Sequence, residues 1–287
     1  MTVKEALIHA REVLAAGNIE DSALEAELLL RCALGRNRVQ LYQGFDRQLS
    51  PEQNKMFQDL VRRRLNREPT AYITGHREFY GIDFYVNPAV LIPRPESELL
   101  VEKALELAQY RSIAAIADIG TGCGAIAVSL ALNLPCVKIY ATDVSTAALE
   151  VALVNCRRHG VSDKIRLLAG DMLDPLPEPA DLIVANLPYI KESELAQVNT
   201  RDFEPHLALN GGTDGLEKIR RLCTQVGDKL KPGGHLLLEI GQGQEAPVIT
   251  LLRDLFPVAG IAVTPDLGGI DRVVNLTLFA EATRLTA

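Results

Sequence analysis

From about residue 113 the chain alternates short β-branched apolar runs with segments of helical periodicity, an order that few architectures accommodate. Residues 114–119, 137–142, 164–169, 181–185 and 235–240 have the length and branching of buried parallel strands. Helical patterns lie at about 125–133, 146–159, 214–230 and 244–256. This repetition predicts an α/β fold, a doubly wound parallel sheet covered by helices on both faces. The chain closes differently. Runs 258–264 and 272–279 are separated only by Pro265-Asp266-Leu267-Gly268-Gly269, which predicts a terminal antiparallel hairpin on the same sheet.

In open sheets of this kind ligands bind at the carboxyl ends of the strands. There the chain carries Asp118-Ile119-Gly120-Thr121-Gly122-Cys123-Gly124, which follows the first strand and opens a helix. Glycines let backbone approach a ligand closely, and a helix N-terminus offers free N–H groups. Asp143, 19 residues beyond Gly124, ends the second strand and can accept both hydroxyls of a ribose. It could instead cap the next helix, with Ser145 as competitor. Asp171-Met172 follows the third strand, where an adenine would find a thioether for its face and a carboxylate for its amino group. A plain turn into Pro175 fits that spacing too. The loop also satisfies a tolerant dinucleotide fingerprint, Gly120-x-Gly122-x-x-Ala125, so by itself it admits a nicotinamide dehydrogenase.

Asn186-Leu187-Pro188-Tyr189 ends the fourth strand. An Asn oxygen that accepts, a Pro that stiffens and a Tyr face for a planar group suit gripping an amide or amine with its nitrogen free to react. A strand-ending turn is the plainer reading of Asn-x-Pro. Hydride transfer has no need of such a grip.

Ahead of the sheet the sequence reads as helices. Ala6, Leu7, Ala10, Val13 and Leu14 share a face before Gly17; Ala23, Ala26, Leu29, Leu30 and Ala33 do so after Ser22. Ser50, Pro51 and Gln53 announce a third helix with a capping box, running through Met56, Leu60 and Leu65 and stopping before Pro69. Its Arg62, Arg63, Arg64 and Arg67 form a dense basic cluster, which reads as a solvated face or a partner contact. Residues 76–86 are aromatic and broken by Gly81-Ile82-Asp83, as in a β-hairpin, and 91–98 are extended by two prolines ahead of a helix near 96–109. The expected division is a helical domain at 1–72, a hairpin connector at 73–95 and the sheet domain at 96–287.

A formal charge of −7 argues against a broad nucleic-acid surface. No run of about 20 apolar residues is present, so no transmembrane helix is expected. The early acidic residues argue against a signal peptide. Five dispersed cysteines lack ligand spacing, which suggests reduced thiols in a cytoplasmic protein without a metal site. No apolar stripe demands a second copy, and a monomer is expected.

The residues also carry a family likeness. The 118–124 loop resembles the first motif of class I S-adenosylmethionine-dependent methyltransferases, and Asn186-Leu187-Pro188-Tyr189 resembles their Asn-Pro-Pro-Tyr motif. A terminal double strand is common in their sheets. Leu91-Ile92-Pro93-Arg94-Pro95-Glu96-Ser97-Glu98, Phe203-Glu204-Pro205, Gly211-Gly212-Thr213-Asp214-Gly215-Leu216 and Asp271-Arg272-Val273-Val274 look like the HemK/PrmC family, which modifies the glutamine of peptide chain release factors. The likeness implies a seven-stranded methyltransferase sheet, S-adenosyl-L-methionine as co-substrate, release factors as protein substrates and no metal. It implies that Gly120, Thr121, Gly122, Cys123, Gly124, Asp143, Asp171, Met172 and Asn186 line the cofactor site. Asn186, Leu187, Pro188 and Tyr189 would then hold the acceptor glutamine and carry catalysis, and residues 1–72 would recognise the substrate. Leu187 departs from the family's usual Pro, losing rigidity while keeping the backbone carbonyl. Asn-Leu-Pro-Tyr also occurs in ribosomal RNA adenine dimethyltransferases, but those begin almost directly with the cofactor domain and are basic. A non-catalytic cofactor sensor is a further reading, one that leaves the acceptor grip unexplained.

Overall fold

A computed structural model of the chain describes residues 1–197 and 202–279. It resolves into two compact units, Met1–His76 and the chain from Arg77 onward. The first is helical: α1 (Val3–Ala16), α2 (Ser22–Leu34), α3 (Arg38–Gln43), α4 (Pro51–Leu65) and α5 (Thr70–Thr74). Its core takes most of the apolar face read from the sequence, though Ala23 is exposed and Leu7 and Val13 are only half-buried at its edge. Ala6, Ala10, Leu14, Leu29 and Leu30 pack with Leu41, Phe57, Leu60 and Ile73. The Ser50–Gln53 capping box opens α4 as expected. Helices α3 and α5 span six and five residues, too short for a periodic signal. The arginine cluster is consumed locally: Arg62 pairs with Asp59, Arg63 with Glu68, and Arg64 with Glu25. Arg67 donates to the carbonyls of Asn18 and Gly17, each at 3.0 Å.

Strands β1 (His76–Phe79) and β2 (Ile82–Tyr85) form the anticipated hairpin. Its turn falls at Tyr80-Gly81, both at positive φ, one residue ahead of the expected break. Glu98 steadies Tyr80 in that conformation by accepting its N–H at 2.9 Å.

The remaining elements are α6 (Glu98–Tyr110), β3 (Ala115–Ile119), α7 (Ala125–Asn133), β4 (Lys138–Asp143), α8 (Thr146–Arg158), β5 (Ile165–Ala169), β6 (Ala180–Ala185), α9 (Glu217–Lys229), β7 (Leu230–Glu239), α10 (Glu245–Leu255), β8 (Gly260–Pro265) and β9 (Asp271–Thr277). The sheet order is β5-β4-β3-β6-β7-β9-β8. The first five are parallel neighbours, and β9 and β8 add antiparallel at one edge. The seven-stranded sheet and its terminal hairpin are those expected. β7 starts five residues early. Leu230 already pairs with Ala180 ahead of Pro232-Gly233-Gly234, and a register shift absorbs the glycines.

Strand order reverses at β3 and β6, which leave their carboxyl ends beside one another with Ile119 opposite Ala185. Across β3 and β4, Ile119 faces Thr142; across β4 and β5, Asp143 faces Ala169. Four strand ends therefore terminate on one line, the switch point where such sheets bind ligands.

Candidate active site

A cavity of about 370 Å³ opens along that line. Its floor comes from Gly120 and Gly122 after β3, Asp143 and Ser145 at β4, Gly170 to Met172 after β5, and Asn186 to Pro188 after β6. Ala89 to Leu91, Pro205, Leu207, Ala208, Lys218 and Arg221 wall the rest.

The glycine loop needs its glycines for conformation. Gly120, Gly122 and Gly124 have φ of +70°, +56° and +82°, and a Cβ on Gly120 would come within 3.3 Å of Leu187 Cδ2. Thr121, Cys123 and Gly124 do not line the cavity. The Thr121 hydroxyl turns inward to donate to Asp118 Oδ2 at 2.6 Å, Cys123 is buried, and Gly124 packs against Ala152. Asp118 also accepts the Ala127 N–H at 3.2 Å, but its Oδ1 is buried with no hydrogen-bond partner. Burial pushes this carboxyl up to about 7, against the pull of Thr121.

Asp143 lines the cavity while serving the backbone. Its Oδ2 accepts from Gly122 N at 2.9 Å and its Oδ1 from Ser145 N at 2.9 Å, while burial raises its carboxyl above the ordinary range. The capping of α8 falls to the Ser145 hydroxyl, which accepts from Ala148 N at 3.1 Å. Asp171 pairs with Arg221 on α9 at the rim. Met172 is nearly buried at positive φ, its carbonyl accepting the Thr142 hydroxyl at 2.9 Å.

In the tetrapeptide, Asn186 donates from Nδ2 to Ser97 Oγ at 2.7 Å, which leaves Oδ1 free of partners among the described residues. Leu187 is buried, and its side chain lies over Gly120, so packing supplies stiffness that a proline ring would otherwise give. Tyr189 stands back from the cavity: its ring packs on Gly241, and its carbonyl accepts from Gln244 Nε2 at 3.0 Å. Burial, reinforced by the charge of Glu239, pushes the Tyr189 hydroxyl up to about 12.

Several supporting residues had no role in the sequence reading. Glu204 is fully buried, accepts the Ile92 N–H at 3.1 Å and pairs with Arg94 at 2.5 Å, tying the Pro205–Ala208 wall to the proline-rich segment. Gln244 ties Tyr189 to the β7–α10 turn through Gly241 N at 2.9 Å. Ser97 lies behind Asn186; the sequence reading names it within the 91–98 segment without giving it a role. Among the described residues no group of three or more His, Cys, Asp or Glu side chains is placed to hold a metal ion, and no helix is long and apolar enough to cross a membrane.

Known proteins resemble the chain at two levels. Family models described as the PrmC N-terminal domain and the methyltransferase small domain match residues 5–75 and 95–205. A release factor glutamine methyltransferase from Koribacter versatilis is 42% identical over 279 residues, covering 96% of this chain and 98% of that protein. One from Moorella thermoacetica is 44% identical over 277 residues, covering 95% and 97%. Among solved structures, a methyltransferase from Pyrococcus furiosus has the same fold, with a TM-score of 0.51 and 19% identity over 70% of this chain and 90% of that one.

Proposed function

Because the chain belongs to the release factor glutamine methyltransferase family, we propose that it methylates the side-chain amide nitrogen of the Gly-Gly-Gln glutamine of peptide chain release factors. The carrying observation is Asn186, held by Ser97 with its oxygen left over beside the glycine loop.

The cavity fits S-adenosyl-L-methionine. Its volume lies within the range of small-molecule sites. Asp143 keeps lone pairs for ribose hydroxyls, and Met172 and Asp171 offer an apolar face and an acceptor to adenine. When bound, the co-substrate supplies a methyl group on a sulfonium. Gly120 and Gly122 form the wall, with Thr121, Cys123 and Gly124 supporting them from behind.

An amide nitrogen is a poor nucleophile because its lone pair is delocalised. The protein's contribution is therefore position, which can be worth roughly 7–11 kcal/mol for aligned groups. Asn186 Oδ1 and the Leu187 carbonyl accept the two amide hydrogens, orient the nitrogen and favour the positive charge that develops on it. Pro188 fixes the turn, and Tyr189, set back from the cavity, braces it from behind through Gly241 and Gln244.

Residues 1–72 serve substrate recognition, 73–95 connect, and 96–287 catalyse. Arg62, Arg63 and Arg64 each hold a local carboxylate partner, and replacing them by Ala should weaken release-factor binding only if this helix contacts it. The enzyme works as a cytoplasmic monomer without metal, membrane or nucleic-acid partner; its charge of −7 disfavours an RNA substrate. A transfer assay with labelled S-adenosylmethionine, offering release factor and ribosomal RNA together, tests the reading. Label is expected in the release factor, and label confined to the RNA would overturn it.

A further inference from the structure

No residue of Gly211-Gly212-Thr213-Asp214-Gly215-Leu216 lines the cavity, yet this segment lies along the chain that leaves the tetrapeptide. Ile190 N donates to Leu209 O at 3.2 Å, Gly211 N to Ile190 O at 2.8 Å and Glu192 N to Gly212 O at 2.9 Å, which makes a short parallel ladder. Two of the glycines press on the tetrapeptide itself. A Cβ on Gly211 would lie 2.8 Å from the Pro188 carbonyl oxygen and from Tyr189 Cα and C. One on Gly215 would lie 2.6 Å from the Tyr189 carbonyl oxygen.

These neighbours are backbone atoms, which cannot swing aside as a side chain can. Ordinary contact begins at 3.4 Å, so an alanine at 211 must part the two segments by roughly half an ångström or more. Neither outer side yields readily. Behind Gly211, its carbonyl accepts the N–H of Glu217 at 3.0 Å where α9 begins, and Ile219, Leu222 and Val226 fix that helix in the core of the sheet. Beyond Tyr189, Gln244 Nε2 holds the carbonyl at 3.0 Å and Gly241 abuts the ring. The displacement therefore runs back along the chain into Pro188. A proline ring locks φ at about −65°, so Pro188 cannot absorb the shift by rotation there and passes it to the Leu187–Pro188 peptide plane. That plane carries the Leu187 carbonyl.

We propose that Gly211 is a positioning residue for methyl transfer: its bare Cα seats the Pro188–Tyr189 backbone so that the Leu187 carbonyl points at the acceptor amide. The inference rests on the glutamine reading above. It concerns direction and not binding. A protein substrate is held by far more surface than one glutamine, and Gly211 is no part of the cofactor wall, so an ill-seated grip lowers kcat and spares KM. Gly211 is not at positive φ, so an alanine suits its own backbone and the substitution tests the contact alone.

In steady-state methylation of a full-length release factor, Gly211→Ala should lower kcat about tenfold or more, the scale of a small misplacement of reacting groups. KM for the release factor and Kd for S-adenosylmethionine should change less than about twofold, the mark of an interaction made only in the transition state. Gly160→Ala is the structural control. Gly160 has a φ of +68° and open space around it, so strain there lowers the melting temperature while kcat stays at the wild-type value. Pro188→Ala frees the locked φ and lowers kcat by itself; adding Gly211→Ala should then cost less than about threefold more, because both act through one lever. Should Gly211→Ala fail to fold, Asn210→Ala tests the same segment more gently. It removes only the oxygen that accepts from Gly212 N at 2.8 Å, and kcat should fall about threefold at unchanged Kd. Any of four results would overturn the proposal: a kcat near wild type in the assayed variant, an equal loss of cofactor affinity, the same kcat loss in Gly160→Ala, or effects of Gly211→Ala and Pro188→Ala that simply multiply. A wild-type enzyme that leaves the release factor unmethylated would instead contradict the glutamine reading itself, and this inference with it.

Discussion

Gly120 shows how one missing side chain serves two sites. Its φ of +70° is costly for any other residue, and its bare Cα lets Leu187 lie across the loop. Gly120→Ala adds backbone strain of roughly 1–2 kcal/mol to a crowded contact at 3.3 Å. Titration calorimetry should show S-adenosylmethionine bound about tenfold or more weakly, with kcat also reduced because Leu187 is displaced; unchanged affinity would remove Gly120 from the cofactor wall. At this scale the sequence was most readable where chemistry and backbone coincide. Gly120, Gly122, Asp143, Met172 and Asn186 all reach the cavity. Thr121 and Cys123 were legible as loop members, but nothing in their spacing told that they face inward, since a side chain's direction in a positive-φ loop has no periodicity.

Elements were legible wherever a period could develop. The five parallel strands, their helices and the terminal hairpin follow the alternation along the chain, with boundaries off by a few residues. The brief α3 and α5, and the start of β7 through two glycines, carry no such signal and are decided by tertiary pairing. The same holds for Glu204, whose partners Ile92 and Arg94 lie more than a hundred residues earlier. Glu204 joins two irregular segments that both wall the cavity. Glu204→Ala should destabilise the protein by about 3 kcal/mol, the low end for a broken buried pair because the Arg94 side chain is 35% exposed. Chemical denaturation should reveal that loss together with weaker cofactor binding. Full stability in the variant would show that the wall is held by other contacts.

For the whole molecule, each unit has its own apolar core, one helical and one built on the sheet. The helical unit, the glycine loop and the tetrapeptide together separate this chain from enzymes that carry only the last two. The resemblance read from motifs and the relatives above 40% identity agree on one chemistry. That chemistry places one methyl group on one nitrogen. The direct test is fragment-resolved mass spectrometry of a release factor after incubation with this enzyme and S-adenosylmethionine. The account predicts a single added methyl on the side-chain nitrogen of the Gly-Gly-Gln glutamine, absent with Asn186→Ala. A methyl on any other atom, or an equal yield from Asn186→Ala, would contradict it.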